Sequence, residues 1–470
     1  MEKIKITKIT KIIKGHLSGN KKIVVSGVSI DSRTTNKGDI FFAIKGEKYD
    51  GHNFVKNAVK NGAVAVVVSQ LSRLQVVGQA TLNSPACKSS GRQLSTILVK
   101  DTIKTLQDFA KYYRTKFSVK VIGITGSNGK TTTKDMLASI LSQRFSILAT
   151  QGNLNNHIGL PLTLFNMTEQ HKYCILEMGA NHTGEIARLS EIAKPACGII
   201  TNISNAHIGE FGSLENIVKT KMELLHSLGD AGIAIINNDD KLISTASKKI
   251  KCMKKTFGLK NKADITASDI VLKPHKTSFI LRYGNKKTHL ELPVCGKFNI
   301  YNALAASTCA TCFGIEIDEI ADGIKNFKPS PKRMEVIKTS DGIIIVNDSY
   351  NANPTSMWQA IENFSEIFYN KRKILVLGDM LELGSYAVSE HKKLGEFIVN
   401  NKLADTVYTV GDLSRNISNS KWFKTKNQLF KYLKKNLERN DAVFFKASRK
   451  IGLDKVAESL IYATTDSAEV

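Results

Sequence analysis

This 470-residue sequence lacks the features that would place a protein in a membrane or outside the cell. No apolar run approaches the roughly 18 residues that a membrane-spanning helix requires. The N-terminal stretch MEKIKITKITKIIKGH interleaves lysine with isoleucine, so it has no continuous apolar segment of the kind found in secretory signals. The 7 cysteines are an odd number without the spacing of a disulfide framework. We therefore expect a chain that works in a reducing cytoplasm.

Acidic side chains are also in short supply. The sequence has 42 Asp and Glu against 67 Lys and Arg, which gives a formal net charge of +25. Such a balance is compatible with nucleic-acid binding, but the lysines are dispersed and no RNA-binding motif or zinc-finger spacing accompanies them. We therefore expect no nucleic-acid partner. The positive charge would also attract anionic substrates. The close pair Cys309 and Cys312 lies in an Ala-rich helical stretch, which indicates core packing.

A phosphate-binding motif is present at residues 119–135, VKVIGITGSNGKTTTKD. The β-branched run Val119–Ile124 predicts a buried strand, and a helical pattern opens at Lys130. A strand, a glycine-bearing loop and a helix start make a cradle in which loop amides point at phosphates, Lys130 meets the terminal phosphates and Thr131 can reach Mg²⁺. The predicted contacts are Thr125, Gly126, Ser127, Asn128, Gly129, Lys130, Thr131 and Thr132.

The spacing of this loop is shorter than that of the generic motif. Ile124 stands where the first glycine of GxxxxGK[ST] belongs, which leaves TGxxGKTT. A glycine turn with a chance Lys-Thr pair is therefore the alternative interpretation. The flanking strand and helix patterns favour the phosphate cradle.

A carboxylate and an imidazole follow the next two predicted strands. Glu177 stands at the end of Tyr173–Met178, and His207 follows Gly198–Ile203. Because open α/β sheets bind ligands at the carboxyl ends of their strands, both groups could reach a metal ion shared with the nucleotide phosphates. The alternatives are a structural carboxylate and a solvated histidine.

The alternation of strand and helix patterns predicts an α/β protein of three domains, at 1–115, 116–327 and 328–470. We expect a small N-terminal α/β domain, a central parallel-sheet P-loop ATPase domain and a C-terminal Rossmann-like, doubly wound domain. The segment Leu71–Thr96 loses periodicity and reads as a long insertion, and Gly258–Leu292 reads as an antiparallel appendage. Further strands are predicted at Ile23–Ser29, Ile40–Ala43, Ala63–Val68, Ile343–Asn347, Lys373–Leu377, Thr406–Val410 and Ala442–Phe445, and helices at Phe54–Asn61, Thr105–Tyr113 and 214–228.

Several separated segments together resemble one known family, the Mur ligases of bacterial cell-wall synthesis, over nearly the full length. They are DSRTTNKGDIFFAIKG, GITGSNGKTTTK, GNLNNHIGLPLTL, LEMGANHTGEI, TNISNAHIGEFGS, NDSYNANPTSM and LGDMLELG. Three of them, LEMGAN, NDSYNANP and LGDMLELG, resemble the members that join D-alanyl-D-alanine to UDP-N-acetylmuramoyl-tripeptide (UDP-MurNAc-tripeptide). The resemblance implies a monomeric, cytoplasmic bacterial ligase that uses ATP and Mg²⁺ with these two small-molecule substrates.

The resemblance also implies how the central domain works. Lys130 would stabilise the transferred phosphoryl group. Thr131 and Glu177 would hold one Mg²⁺, and His207 with a carbamylated Lys221 would hold a second. A carbamate turns an ammonium into an anion that can bind a hard cation.

The position of the carbamylated lysine depends on the register of one helix. The family pattern Lys-Gly-Glu appears here as Lys221-Met222-Glu223. The register therefore rests on Glu223 and on the upstream FGS, and Lys219 is the alternative.

Other segments would contribute contacts to the nucleotide and to both substrates. By resemblance these contacts are Asn299 and Asn302 for adenine, Arg333 and Asp348 for phosphate and ribose, Asp31, Ser32 and Arg33 for the UDP end, and Asn351, Asn353, Asp379 and Glu382 for the dipeptide. Two positions depart from the family pattern. Phe298 replaces a histidine, and Ala447 replaces a glycine at which a left-handed backbone would be strained by a side chain.

Three other functions stay open at this point. One is a sibling Mur ligase that adds a single amino acid, although the Asp-Tyr-Ala-His motif of the diaminopimelate- or lysine-adding sibling is replaced here by Asp348-Ser349-Tyr350-Asn351. Another is a folylpolyglutamate-type ligase of similar build. A third, from a different class, is a nucleotide-binding protein without catalysis.

Overall fold

The computed structural model describes residues 1–69 and 94–465. The strands are β1 (Ile4–Lys5), β2 (His16–Ser18), β3 (Val24–Val25), β4 (Gly27–Ser29), β5 (Asp39–Phe42), β6 (Ala65–Val68), β7 (Ser95–Leu98), β8 (Lys120–Thr125), β9 (Ile147–Ala149), β10 (Tyr173–Glu177), β11 (Cys197–Ile200), β12 (Ile233–Asn237), β13 (Met253–Phe257), β14 (Ile265–Lys273), β15 (Lys276–Tyr283), β16 (Lys286–Leu292), β17 (Glu335–Lys338), β18 (Ile344–Asn347), β19 (Lys373–Gly378), β20 (Thr406–Val410), β21 (Lys421–Phe423) and β22 (Ala442–Lys446).

The α-helices follow the same chain order. They are α1 (Ile6–Ile12), α2 (Val55–Lys60), α3 (Thr102–Arg114), α4 (Lys130–Leu141), α5 (Gly159–Leu164), α6 (Glu185–Ala193), α7 (Ile208–Phe211), α8 (Leu214–His226), α9 (Lys241–Ala246), α10 (Lys297–Cys312), α11 (Ile317–Lys325), α12 (Pro354–Ile367), α13 (Ala387–Asn400), α14 (Lys426–Asn436) and α15 (Asp454–Thr465). Within residues 1–69 and 94–465, no helix is both long and apolar enough to span a membrane.

The chain divides into two units. The first comprises Met1–Ile122, Phe145–Met178 and Ala187–Pro195, and the second comprises Gly123–Arg144, Gly179–Ile186 and the described chain from Ala196 onward. These two units do not test the predicted division into three domains, which stays a prediction.

The first unit is built on a five-stranded sheet with the order β2-β7-β6-β5-β4. Strands β4 to β7 pair in parallel, and β2 pairs antiparallel to β7. Every residue of β5 and β6 is buried, as expected for strands with parallel neighbours on both sides. In the same unit β9 and β10 form a parallel pair, and the β10 sequence YCILE is buried throughout.

The second unit contains two sheet regions. In one, β11, β12, β13 and β14 follow one another in parallel, and β14, β15 and β16 continue as antiparallel hairpins. In the other, the order is β17-β18-β22-β19-β20-β21, parallel except for the edge strand β17. The Ala-rich helix α10 is buried along most of its length and contacts α4. The predicted α/β class, the antiparallel appendage and the doubly wound C-terminal sheet are confirmed.

Some element predictions need correction. The strand predicted at Ile23–Ser29 is split into β3 and β4, and the edge strands β17 and β21 had no predicted counterpart. Residues 71–93 of the predicted insertion lie outside the described residues, but Ser95 and Thr96 belong to β7. Cys309 is fully buried, and the six cysteines of the described ranges are all free thiols, so core packing is confirmed for Cys309.

Candidate active site

The loop between β8 and α4 has two positions that only glycine can occupy. Gly126 and Gly129 have φ angles of +150° and +80°. A Cβ at Gly126 would lie 1.9 Å from Thr201 Oγ1, and one at Gly129 would lie 2.1 Å from Asn302 Oδ1. The glycines of TGSNGKTT are therefore required by close packing around the loop as well as by its backbone conformation.

The backbone amides of the loop are used differently from the prediction. Ser127 N donates to the carbonyl of Asn202 at 2.9 Å, and Asn128 N donates to Asn202 Oδ1 at 3.0 Å. These two amides therefore do not point at a phosphate. Helix α4 begins after Gly129 without a side-chain cap, so its first-turn amides and its positive dipole end are what the loop offers to an anion.

Asn202 and Thr201 are site residues that the sequence reasoning missed. Asn202 Nδ2 and Thr201 Oγ1 both donate to the carbonyl of Asn128, at 3.0 and 2.6 Å. They fix the loop from the strand-end segment TNISNAH, in which only His207 was predicted as a site residue. The signal was available, because polar residues directly after a strand neighbouring a P-loop strand are placed to contact that loop.

Two cations converge on the start of α4. Lys130 Nζ donates to the carbonyls of Gly126 and Ser127, at 2.8 and 3.3 Å. Arg333 Nη2 donates to Thr131 Oγ1 at 3.1 Å, and Arg333 Nε is buried without a hydrogen-bond partner. The structure thus brings together the predicted phosphate residues Lys130, Thr131 and Arg333.

The buried lysine of α8 is Lys221, which is 3% exposed, whereas Lys219 is exposed. Burial lowers the pKa of Lys221 to about 7, and repulsion from Lys130 acts in the same direction, against the attraction of Glu185 and Glu223. A lysine with such a pKa carries a neutral amine for a substantial part of the time at neutral pH. This burial favours Lys221 over Lys219 as the reactive position.

His207 faces the loop LGDMLELG. Its Nδ1 lies 3.0 Å from Glu382 Oε2, within ion-pair distance, but the two groups are not aligned as a hydrogen bond. The contact with His207 holds the pKa of the Glu382 carboxyl below its usual value, and Lys450 and Lys130 contribute in the same sense. Gly209 N also donates to the Glu382 carbonyl at 3.2 Å. Glu382, predicted for the dipeptide pocket, therefore lies beside a predicted metal ligand.

Glu177 belongs to the first unit and is 3% exposed. Its Oε1 accepts a hydrogen bond from Asn155 Nδ2 at 2.7 Å, and its backbone amide donates to Thr150 Oγ1 at 3.0 Å. Asn155 and Thr150 come from the segment TQGNLNNH, so that segment orients this carboxylate. A Mg²⁺ shared by Glu177 and Thr131 stays a prediction.

The two asparagines predicted for adenine are only 4% exposed each. Asn302 Nδ2 donates to Asn299 Oδ1 at 3.1 Å, and Asn299 Nδ2 donates to the carbonyl of Cys295 at 2.8 Å. Asn302 Oδ1 also accepts from Thr133 Oγ1 at 3.3 Å, which ties α10 to α4. Both side chains thus brace the helix pair behind the loop, and their contact with adenine stays a prediction.

Asp348, predicted for ribose, is held in a buried ion pair. Lys446 Nζ lies 2.5 Å from Asp348 Oδ2 and also donates to the carbonyl of Asn351 at 3.0 Å. Asp348 Oδ1 accepts from the amide of Met334 at 3.1 Å. These contacts engage both carboxylate oxygens, so Asp348 organises the loops around Arg333.

Two residues predicted for the dipeptide pocket also have structural hydrogen bonds. Asp379 is 6% exposed, and its oxygens accept from the amides of Asp412 and Ser414 at 3.1 and 2.8 Å. Asn353 caps α12 by accepting from Ser356 N at 2.9 Å, and its Nδ2 donates to Asn128 Oδ1 at 2.7 Å. The contact of both residues with the dipeptide stays a prediction. Asn351 and Glu382 stay predictions.

The predicted UDP contacts form a turn on the first unit. Arg33 is exposed and pairs with Asp31 at 2.6 Å, and this hydrogen-bonded guanidinium lowers the pKa of the Asp31 carboxyl. Ser32 is buried, and its carbonyl accepts from Asn61 Nδ2 at 2.7 Å. Arg33 is thus presented to solvent, and its contact with UDP stays a prediction.

A Mg²⁺ requirement fits the residues present. In the portion of the chain that the structure describes, no group of three or more His, Cys, Asp or Glu side chains could hold a metal. Mg²⁺ bound to nucleotide phosphates needs only one or two protein ligands. The Thr131 hydroxyl and the His207 Nδ1, which is buried without a hydrogen bond, are two groups of the second unit that could serve.

Family models match the chain in three successive segments. Residues 24–114 match a Mur ligase family catalytic domain, residues 124–310 a Mur ligase middle domain, and residues 332–449 a Mur ligase glutamate ligase domain. The UDP-N-acetylmuramoyl-tripeptide--D-alanyl-D-alanine ligase of Bacillus subtilis is 36% identical over 98% of this chain and 99% of its own length. The chain belongs to the Mur ligase family.

Solved structures agree with this assignment. A crystal structure of MurF from Acinetobacter baumannii matches this Mur ligase with a TM-score of 0.87 and 29% identity, covering 98% of this chain and 99% of that one. MurF ligase from Thermotoga maritima in complex with ADP matches with a TM-score of 0.79 and 29% identity, over 94% and 99% of the two chains.

Proposed function

We propose that this Mur ligase joins D-alanyl-D-alanine to UDP-MurNAc-tripeptide with the cleavage of ATP to ADP. The observation that carries the proposal is the convergence of Lys130, Thr131 and Arg333 at the uncapped start of α4, in a chain that matches relatives of this named activity over nearly its whole length.

The reaction consists of two transfers. The terminal carboxylate of the tripeptide attacks the γ-phosphorus of ATP, and an acyl phosphate and ADP form. The amine of D-alanyl-D-alanine then attacks the acyl carbon, an amide bond forms, and phosphate leaves. Enzymes accelerate such transfers chiefly by positioning and by neutralising charge. Lys130, the first-turn amides of α4 and Arg333 provide these donors here.

Mg²⁺ would be held by Thr131 and Glu177, and a second ion by His207 and a carbamate on Lys221. When bound, these ions would neutralise phosphate charge. The burial of Lys221 and its pKa of about 7 support carbamylation, because only the neutral amine attacks carbon dioxide. The three-domain division, cytoplasmic location and a monomeric state belong to the same proposal.

An acceptor-dependence assay tests the proposed function. Phosphate release is measured with ATP, Mg²⁺ and UDP-MurNAc-tripeptide, first alone, then with D-alanine, and then with D-alanyl-D-alanine. We expect sustained release only with the dipeptide. Release that depends on a single amino acid would instead identify a sibling activity, and the absence of release with every acceptor would indicate a nucleotide-binding protein.

The structural hydrogen bonds of Asp379 make a separate prediction. Its replacement by alanine leaves the amides of Asp412 and Ser414 without their acceptor, so we expect a loss of about 1–3 kcal/mol in the free energy of unfolding. Asp379→Asn keeps one acceptor oxygen and should lose less. Urea unfolding measures this loss. An unchanged KM for D-alanyl-D-alanine in the folded variant supports a purely structural role, whereas a KM raised tenfold without a stability loss would support the predicted place of Asp379 in the dipeptide pocket.

A further inference from the structure

The aromatic ring of Tyr350 lies beside two guanidinium groups. Arg333 Cζ is 4.1 Å from the ring centroid, and Arg449 Cζ is 5.4 Å from it. Both distances fall within the range of about 6 Å at which a cation is attracted to an aromatic face. The shorter contact is the more informative one, because the same guanidinium donates from Nη2 to Thr131 Oγ1 at 3.1 Å. Tyr350 and Thr131 therefore both contact the guanidinium group of Arg333.

The backbone around Arg333 adopts an uncommon conformation. Its neighbours Lys332 and Met334 have φ angles of +63° and +50°, a region that non-glycine residues rarely occupy. The segment is fixed from the loop after β18. Tyr350 N donates to the Lys332 carbonyl at 3.2 Å, and Met334 N donates to Asp348 Oδ1 at 3.1 Å.

The contact between the Tyr350 ring and Arg333 restricts the orientation of the guanidinium. An arginine side chain has many rotamers, and a flat ring against its planar group removes most of them. The ring contact restricts the orientations of the guanidinium without using its N–H donors. One of these donors, Arg333 Nε, is buried and has no hydrogen-bond partner. A buried donor without a partner is costly in a folded protein, and an anionic ligand would satisfy it.

We propose that Tyr350 is a positioning residue for phosphoryl transfer: its ring holds the Arg333 guanidinium at Thr131, where the nucleotide phosphates bind. This inference rests on the proposed ligase function. Tyr350 acts through Arg333 and needs no contact of its own with ATP.

Replacing Tyr350 with leucine tests the proposal. We expect the kcat of Tyr350→Leu to fall by about 10- to 100-fold, because a small displacement of a catalytic cation is expensive, while the KM for D-alanyl-D-alanine stays within about twofold of wild type. Tyr350→Phe keeps the ring and should retain most of the rate. Tyr369→Leu is the matched control, since Tyr369 is 79% exposed.

A double-mutant cycle separates positioning from a general structural role. If Tyr350 acts through Arg333, Tyr350→Leu has no further effect on kcat in an Arg333→Ala background. A wild-type kcat for Tyr350→Leu would overturn the proposal. So would a loss that multiplies with that of Arg333→Ala, or an equal loss in Tyr350→Phe.

Two controls keep the result interpretable. Thermal unfolding of each variant shows whether it is folded, and Tyr350→Met is a second variant without a ring if the leucine variant fails to fold. Absence of dipeptide-dependent phosphate release in the wild-type protein would refute the ligase function itself. An active wild type with a fully active, folded Tyr350→Leu variant would refute only the positioning role.

Discussion

Replacing Lys130 with alanine is expected to reduce dipeptide-dependent phosphate release by about 1,000-fold or more. Removing one well-placed donor from a developing charge commonly costs 10²–10³-fold, and Lys130 contributes a full positive charge in addition. Its ammonium already lies at the loop, on the carbonyls of Gly126 and Ser127. The loss should fall mainly on kcat, because the charge of the transferred phosphoryl group is greatest while its bonds are changing.

A matched lysine makes the result specific. Lys120, at the exposed start of β8, shares the same strand–loop–helix segment, and Lys120→Ala should retain the wild-type rate. Lys130→Arg keeps the charge with a different shape and should retain part of the activity. The phosphate-release assay with saturating ATP measures all three variants. A wild-type rate for Lys130→Ala would mean that this loop does not bind the reacting phosphate.

Much of the fold and part of the site could be predicted because the evidence is local. The strand β8, the turn glycines and the start of α4 are adjacent in sequence, and each has its own signal in residue type. The doubly wound C-terminal sheet could be predicted for the same reason, since its central strands are short apolar runs between amphipathic helices. The edge strand β21 has only three residues, KWF, which is too short a segment to show the period of a strand.

The partners of polar side chains could not be predicted in this way. Asp379 is bound by amides more than 30 residues downstream, and Asp348 pairs with Lys446 across 98 residues. A sequence motif shows that a carboxylate is present, but only the fold shows whether its oxygens face a ligand or the backbone. The structural hydrogen bonds of Asp379 and Asn353 therefore could not be predicted from the motifs that contain them.

One departure from the family pattern also has a physical answer. Ala447 does not adopt the left-handed backbone conformation considered above. It is not one of the non-glycine residues with a positive φ in residues 1–69 and 94–465. Its methyl group is fully buried in the core of the C-terminal sheet. The alanine therefore adds apolar contact at this position without backbone strain.

The second large effect is expected at Lys221. Replacing it with alanine should lower kcat by at least about 100-fold, since the proposed carbamate would be an anionic ligand of the second Mg²⁺, and its loss would weaken that metal site. The matched control is Lys219→Ala, on the same helix two residues earlier and exposed, which should remain active. Added short carboxylic acids such as acetate should restore part of the rate of Lys221→Ala, because they can occupy the space of the carbamate and carry its charge.

The modification itself can be observed independently of turnover. In the proposed carbamylation, the amine nitrogen of Lys221 would attack carbon dioxide, a carbon–nitrogen bond would form, and one proton would be released, so the reaction needs no oxidant or reductant. Burial favours it, because the environment that lowers the pKa of Lys221 to about 7 disfavours the ammonium that would block the attack. With ¹³C-labelled bicarbonate, the wild-type protein and Lys219→Ala should show a carbamate carbon resonance that Lys221→Ala lacks. A resonance that persists in Lys221→Ala and disappears in Lys219→Ala would move the assignment to Lys219. If acetate restored the rate of neither Lys221→Ala nor Lys219→Ala, and the wild-type protein gave no carbamate signal, the proposal of a carbamylated lysine would be refuted.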